Sequence, residues 1–234
     1  MTDSQPRNAT PVRALLFDFD GTMLETESSS FGSWRQLLSE HGYDLTPQTW
    51  SGAVGTIDGV DPVALLEEHL GEPVDRGALA RRQAALHREM LAEERLRPGI
   101  QRIVDEARAR DVRMAIVTSA GRRWVGEHLA RLGLDSAWEH IVAADGDPAR
   151  AKPAPLLYHE ALAVLGVTAD EALAIEDSPH GVRAAKAAGL TCVAFTNPIT
   201  ETMDFDAADA VVADLDGLGL DGLVALVART AAAR

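Results

Sequence analysis

The stretch LLFDFDGT at residues 15–22 determines how the rest of this chain is interpreted. The apolar run 14–17 predicts a buried strand, which ends in two carboxylates, Asp18 and Asp20, one residue apart. In an extended chain these side chains share a face, and Gly21 lets the chain turn immediately after them. Two like charges at a strand end are costly unless a proton or a cation lies between them. The stretch therefore indicates either a ligand site or a solvated acidic turn, and by itself it leaves both open.

The composition is that of an ordinary globular protein. The chain has 234 residues, of which 46% are hydrophobic and 25% charged, enough for one large domain or a core with a smaller companion. No apolar run approaches the roughly 20 residues that span a membrane. Residues 1–12 lack an apolar segment, so we expect a disordered tail and no signal peptide. The single cysteine, Cys192, lies in an apolar run and predicts a buried thiol in a cytoplasmic protein. We expect a monomer or a weak homodimer.

The net charge of −14 argues against two classes of partner. Nucleic acids and anionic membranes need a basic surface, so we expect neither to bind. A small anionic substrate in a local pocket remains compatible with this charge. Among the 22 basic residues only Lys152 and Lys186 are lysines, so each lysine calls for an explanation of its own.

From residue 113 onward, short apolar strands and helices alternate along the chain. The predicted strands are 114–118, 141–144, 172–175, 192–195 and 210–213, and the predicted helices are 122–132, 155–165 and a third ending at 188. This alternation predicts an α/β fold, a Rossmann-like parallel sheet with helices on both faces.

Residues 23–97 break this alternation. Helix-like apolar spacing occurs at 31–41, 63–70 and 79–96, and no convincing strand is visible there. We interpret 23–97 as a helical cap inserted after the first strand. The core would then comprise 13–22 and 98–234.

Three further polar groups follow predicted strands: Thr118-Ser119, Lys152 and Glu176-Asp177. Each has an ordinary explanation as a helix cap, a surface charge or an acidic turn. Taken together with Asp18 and Asp20, they place carboxylates, hydroxyls and an ammonium group near one edge of the sheet. That combination suits a phosphoryl group and a divalent cation.

In their order along the chain, Asp18-x-Asp20-Gly-Thr, Thr118, Lys152-Pro-Ala-Pro and Glu176-Asp177-Ser resemble the four motifs of the haloacid dehalogenase superfamily. The cap resembles that of its β-phosphoglucomutase-like branch, and the similarity extends from about residue 13 to the last strand. The resemblance implies a Mg²⁺-dependent phosphatase acting on a small phosphorylated metabolite, such as a sugar or polyol phosphate.

The resemblance also implies roles for individual residues. Asp18 would be the nucleophile that forms an aspartyl-phosphate, and Asp20 the general acid and then the general base. Thr118 and the Ser119 amide would bind phosphoryl oxygens, while Lys152 would neutralise developing charge.

The metal ligands are implied in the same way. Mg²⁺ would be held by the Asp18 carboxylate, the Asp20 carbonyl and Asp177. Glu176 would lie close to the ion or bind it directly.

Departures from the family pattern favour hydrolysis over a phosphosugar mutase, which remains the alternative. Mutases resemble this chain but carry a His where Ser30 stands, and an Arg in the cap loop. The corresponding loop, 54–59, offers only Asp58 as a charge. In the cap we expect Trp34 in the hydrophobic interior and His87 in solvent.

Other classes fit less well. Phosphonate-cleaving relatives need a lysine in the cap, and 23–97 contains none. Dehalogenases lack the second aspartate of the first motif. Receiver domains share the residue types but are shorter and have no cap, and a non-catalytic scaffold would not need all four motifs intact.

Overall fold

Six parallel strands form one sheet in the computed structural model, which describes residues 12–55 and 59–232. The strands are Ala14–Phe17 (β1), Arg113–Thr118 (β2), His140–Ala143 (β3), Ala172–Glu176 (β4), Thr191–Phe195 (β5) and Ala210–Val212 (β6). Their order in the sheet is β3-β2-β1-β4-β5-β6. The chain therefore moves outward from β1 to β3 and then returns to the other side of β1, which creates the reversal point where open α/β sheets bind ligands.

Nine α-helices are described. They are Glu27–Ser39 (α1), Pro47–Trp50 (α2), Pro62–Leu70 (α3), Arg76–Leu91 (α4), Ile100–Ala109 (α5), Arg122–Leu132 (α6), Leu156–Leu165 (α7), Pro179–Ala187 (α8) and Gly219–Ala232 (α9). None of the described helices is both long and apolar enough to cross a membrane.

Each face of the sheet is covered by its own layer of helices. Ala14 and Leu16 of β1 face a cluster that includes α7 and α8. Leu15 and Phe17 face the opposite cluster, which includes α5, α6 and α9. Successive strand residues thus point to opposite faces and both faces are buried, which explains why the strands read as continuous apolar runs.

The predicted α/β fold is confirmed, and most element boundaries differ from prediction by one or two residues. The helix 122–132 has the predicted bounds, and Cys192 is fully buried. The sequence interpretation did not include α2, α5 or α9. The tail predicted for 1–12 lies outside the described residues except for Val12, which packs against the core.

The helices within 23–97 enclose an apolar cluster separate from the two that flank the sheet. Its buried members are Phe31, Leu37, Leu38, Leu45, Trp50, Val54, Val63, Leu66 and Leu79, with Ile199 added from the core. Helices α1 and α4 pack against each other over most of their length. Trp34 packs at the edge of this cluster, so the expectation of an interior position is met in part.

The two chain segments that join 23–97 to the core run side by side and are fixed by one arginine. Leu24 and Leu96 form an antiparallel bridge. The Arg97 guanidinium, 9% exposed, donates to the carbonyl oxygens of Gly21 at 2.5 Å, Phe195 at 3.0 Å and Thr196 at 2.6 Å. It also lies 3.5 Å from the centroid of the Phe195 ring. One side chain therefore connects the return from the cap, the loop after β1 and the end of β5.

We expect Arg97→Ala to lower the free energy of unfolding by about 3 kcal/mol, because it leaves buried carbonyl oxygens without donors. Arg97→Lys should be intermediate, since an ammonium group lacks the planar fork. Urea denaturation measures both. The control is Arg95→Ala at the neighbouring exposed arginine, for which we expect a change near zero. Equal effects at the two positions would contradict a specific role for Arg97.

Candidate active site

The site is formed where β1, β2 and β4 end side by side. Phe17 pairs with Ile116 of β2 and with Ile175 of β4. The next residue of each strand therefore lies at the same level, which places Asp18 beside Glu176. The Asp18 amide continues the ladder by donating to the Ile175 carbonyl at 2.9 Å.

Lys152 connects all three strand ends. Its Nζ lies 2.5 Å from Asp18 Oδ1, 2.6 Å from Glu176 Oε1 and 2.7 Å from the carbonyl oxygen of Val117. The side chain is 1% exposed. Burial alone would lower the pKa of Lys152, but the carboxylates of Asp18 and Glu176 outweigh it and raise that pKa above its usual value. Lys152 is therefore a permanently charged ammonium group beneath the candidate nucleophile.

Glu176 is fully buried, and only one of its two carboxylate oxygens has hydrogen-bonding partners within the described chain. Oε1 accepts a hydrogen bond from the Tyr158 hydroxyl in addition to the Lys152 contact. Oε2 has no hydrogen-bond partner among the described residues and lies against Gly181, where a Cβ atom would come within 1.8 Å of it. Burial raises the pKa of Glu176 to about 7, with Lys152 opposing and Asp18 adding to the shift.

Asp177 is held by its own pair of donors. Asn197 Nδ2 donates to Oδ2 at 2.7 Å, and the Thr22 hydroxyl lies 3.5 Å from Oδ1. Gly21, with φ of +76°, passes so close that a Cβ there would lie 2.0 Å from Oδ2. Burial and then the Asp18 charge raise the pKa of Asp177 well above its ordinary value.

The carboxylates suit a hard cation. Asp18, Glu176 and Asp177 each offer an oxygen, and these oxygens lie within 4.8 Å of one another. Three carboxylates this close, all buried, need more positive charge than Lys152 alone supplies. An all-oxygen donor set of this kind fits Mg²⁺. The Asp20 side chain lies outside the cluster, so the involvement of its carbonyl oxygen remains a prediction.

Asp20 lies beside the nucleophile but in a different environment. Its Oδ1 accepts a hydrogen bond of 2.9 Å from the indole Nε1 of Trp124. Burial and the Asp18 charge raise the pKa of Asp20 to about 6, and the hydrogen bond from Trp124 partly offsets that shift. A carboxyl group with such a pKa can hold a proton near neutral pH and release it.

Thr118 and Ser119 extend β2 toward the same site. The Thr118 hydroxyl accepts from the Ala120 amide at 3.0 Å. Ser119 Oγ accepts from the Lys152 amide at 3.1 Å and lies 3.4 Å from the Gly55 carbonyl oxygen of the cap. Ser119 therefore contacts both the loop that carries Lys152 and the cap.

A cavity of about 680 Å³ opens between the core and 23–97. Asp18, Asp20, Thr118 and Ser119 line its core side. The opposite side is lined by Thr26, Glu27, Ser30, Trp34, Trp50, Gly55, Gly59, Val60, Asp61, Pro62 and His87. Lys152, Glu176 and Asp177 are buried behind the first group, so the structure brings all the predicted site residues together in two layers.

Three lining residues were missed or misplaced by sequence reasoning. His87 borders the cavity, so the expectation that it lies in solvent was wrong. Trp124 and Glu27 were assigned no role, because Trp124 occurs at an ordinary position of a predicted helix and Glu27 precedes the predicted helix 31–41. Asp58 lies outside the described residues.

Glu27 lines the cap side of the cavity and interacts electrostatically with Asp20. Burial, followed by the charges of Asp20 and Asp18, raises the pKa of Glu27 to about 8. The Trp50 indole N–H favours the charged form of Glu27 without making a hydrogen bond of normal geometry. Glu27 forms no ion pair with a lysine or arginine of the described chain.

Known proteins are similar to this chain in sequence. The family described as haloacid dehalogenase-like hydrolase matches residues 15–195. The chain is 35% identical over 195 residues to the phosphatase YhcW of Bacillus subtilis, covering 83% of this chain and 88% of that protein. It is 30% identical over 209 residues to validoxylamine A 7'-phosphate phosphatase of Streptomyces hygroscopicus subsp. limoneus, covering 87% and 94%.

A solved structure agrees with these sequence relatives. CbbY from Rhodobacter sphaeroides in complex with xylulose-(1,5)-bisphosphate superposes with a TM-score of 0.74 at 29% identity, covering 91% of this chain and 99% of that one. The fold, the family match and the named phosphatases agree with one another. The chain therefore belongs to the haloacid dehalogenase-like hydrolases and is a phosphatase of that family.

Proposed function

We propose that this chain is a Mg²⁺-dependent phosphatase that hydrolyses a small phosphomonoester, a sugar or polyol phosphate, through an aspartyl-phosphate on Asp18. The main support for the proposal is that two aspartates in different electrostatic environments line one cavity. Asp18 is bound to the Lys152 ammonium group, whereas Asp20 has a pKa near 6. One is suited to attack and the other to proton transfer.

The described contacts support a role for each group. With Oδ1 of Asp18 bound to Lys152, Oδ2 is the oxygen left for attack on phosphorus. Asp20 would protonate the leaving oxygen and then remove a proton from the water that hydrolyses the acyl phosphate. Thr118 and the Ser119 amide border the cavity at the point where phosphoryl oxygens would be bound.

The cation would be held by Asp18 and Asp177, with Glu176 anchoring Lys152 from behind. Mg²⁺ supplies charge neutralisation between an anionic carboxylate and an anionic phosphoryl group. Asn197 and Thr22 orient Asp177 for this purpose.

The cap side of the cavity supports a substrate with one phosphate. None of its described lining residues is a lysine or arginine, and Thr56, Ile57 and Asp58, outside the described residues, add no base. Glu27, whose pKa is raised to about 8, offers no positive charge to a second phosphate and can hydrogen-bond with hydroxyl groups. The faces of Trp34 and Trp50 suit the apolar face of a ring. This differs from CbbY, whose structure holds a bisphosphate.

Asp18→Asn should lower kcat for phosphomonoester hydrolysis by more than about a thousandfold, because an amide cannot attack phosphorus. Inorganic phosphate release measures this loss, and thermal unfolding should show the fold intact. The exposed carboxylate variant Glu93→Gln serves as a control that should keep wild-type turnover. Near wild-type turnover in Asp18→Asn would contradict the assignment of the nucleophile.

Activity should disappear with a chelator and return with Mg²⁺. Asn197→Ala should weaken Mg²⁺ binding by about tenfold or more, because it removes the donor that orients Asp177. Asp177→Asn should weaken binding further, since it removes a charged ligand. Isothermal titration calorimetry with Mg²⁺ provides the affinities without relying on turnover. Full activity in excess chelator would refute the metal-assisted mechanism.

The acidic cap side predicts discrimination against bisphosphates. Among paired sugar esters, such as fructose 6-phosphate and fructose 1,6-bisphosphate, kcat/KM should favour the monophosphate by about tenfold or more. Because the pKa of Glu27 is raised to about 8, Glu27 is largely protonated at pH 7 and ionised above pH 8, so Glu27→Gln should leave the ratio nearly unchanged at pH 7 and remove its further rise above pH 8. A preference for bisphosphates at pH 7 would contradict this interpretation of the cavity.

An assay with β-glucose 1-phosphate distinguishes a phosphatase from a mutase. β-Glucose 1-phosphate should release inorganic phosphate and give negligible glucose 6-phosphate, even with a bisphosphate primer. Efficient isomerisation with little phosphate released would support the mutase alternative.

A further inference from the structure

The indole of Trp124 contacts the side chain of Asp20 directly, although Trp124 belongs to none of the four motifs. Trp124 lies in the first turn of α6, just beyond the end of β2. Its Nε1–H donates to Asp20 Oδ1 over 2.9 Å, a normal hydrogen-bond distance. The tryptophan also borders the cavity, so the contact lies where the leaving group would be.

The Trp124 ring is fixed by two histidines from different parts of the chain. His87 of α4 stacks on it with a centroid distance of 5.7 Å and an interplanar angle of 24°. His128, one turn further along α6, meets it edge-on at 4.3 Å and 72°. The indole is therefore restrained by both the core and the cap, and its N–H has a defined direction.

We propose that Trp124 is a positioning residue for proton transfer, which holds the Asp20 carboxyl so that Oδ1 accepts the indole hydrogen and Oδ2 faces the substrate. The proposal rests on the proposed role of Asp20 as general acid and base. His87 supports the indole from the cap side.

The hydrogen bond favours one oxygen as the site of the proton. In a protonated carboxyl group the carbonyl oxygen is a better acceptor than the hydroxyl oxygen, so the N–H bond to Oδ1 favours a proton on Oδ2. As an Asp18 oxygen forms its bond to phosphorus, the P–O bond to the leaving group breaks, its electron pair stays on the leaving oxygen, and the proton on Asp20 Oδ2 moves to that oxygen. In the second half, a water oxygen bonds to phosphorus while the bond from phosphorus to Asp18 breaks and its electron pair returns to the Asp18 carboxylate. Asp20 Oδ2 takes a proton from that water, which restores the starting state and releases inorganic phosphate.

A purely structural role for Trp124 makes a different prediction. A side chain that only packs cap against core should affect all substrates alike when it is altered. Altering a residue that positions a general acid should lower kcat/KM for esters whose leaving alkoxide needs a proton. It should leave kcat/KM unchanged for p-nitrophenyl phosphate, whose leaving group departs as a stable anion.

The test compares kcat/KM for a sugar monophosphate and for p-nitrophenyl phosphate in Trp124→Phe, which keeps an aromatic ring and removes the N–H. This parameter reports the steps through leaving-group departure, before water attacks. We expect a loss of about tenfold or more for the sugar ester and less than about twofold for p-nitrophenyl phosphate. Hydrolysis by the unaltered enzyme tests the proposed function separately.

The matched control is Trp138→Phe. Trp138 packs edge-on against Phe17, and its indole N–H has no hydrogen-bond partner among the described residues. The same chemical change there should leave the ratio of the two kcat/KM values unaltered. Equal losses for both esters in Trp124→Phe, or no loss for either, would overturn the proposal.

A double substitution gives a second, independent criterion. Asp20→Asn should itself show the selective loss, and adding Trp124→Phe should cost little more, because the indole acts through Asp20. A further tenfold loss in the double variant would overturn the proposal. Should Trp124→Phe not fold, site-specific 3-benzothienylalanine at this position replaces Nε1–H by sulfur at nearly constant shape and is subject to the same criteria.

Discussion

The buried contact of Lys152 with Asp18, Glu176 and the Val117 carbonyl is the interaction on which the rest of the site depends. The sheet register forces the first two carboxylates into adjacent positions, because β1 and β4 are neighbours. Without a cation between them, their burial would be strongly unfavourable. A single ammonium group therefore allows three strand ends to meet at one point, and it explains why a lysine occurs in a chain that otherwise uses arginine.

One ammonium group does not balance all the charge collected here. Burial raises the pKa of Asp20, Glu176 and Asp177, and the charge of Asp18 adds to each of these shifts. Asp177 lies near Asp18 and Glu176 and is oriented by Asn197, but unlike them it makes no ion pair with Lys152 among the described residues. The same electrostatics that permit the fold through Lys152 thus leave a place suited to a divalent cation.

The sequence was sufficient to predict the sheet, helices within 23–97 and the residues that follow the strand ends, because those features lie within short, regular patterns. It did not reveal α5 or α9. It also did not reveal the environment of Asp20, since Trp124 and His87 are far apart in the chain and come together only when α4 packs over α6. It assigned no role to Arg97, because its three carbonyl contacts depend on long-range folding.

Residues at the end of the cap and within it are connected to Asp20 or to its backbone neighbour Gly21 by two separate routes. Arg97, at the return from the cap, binds the carbonyl oxygen of Gly21, which directly follows Asp20. His87, from a cap helix, covers the indole that binds the Asp20 side chain. The residue assigned to proton transfer is therefore restrained through its backbone neighbour and through its carboxyl group, and both restraints involve residues at or beyond the cap. Under the proposed function, substrate recognition by the cap and proton transfer at Asp20 would share one set of contacts, so a change in cap packing should affect the chemical step as well as binding.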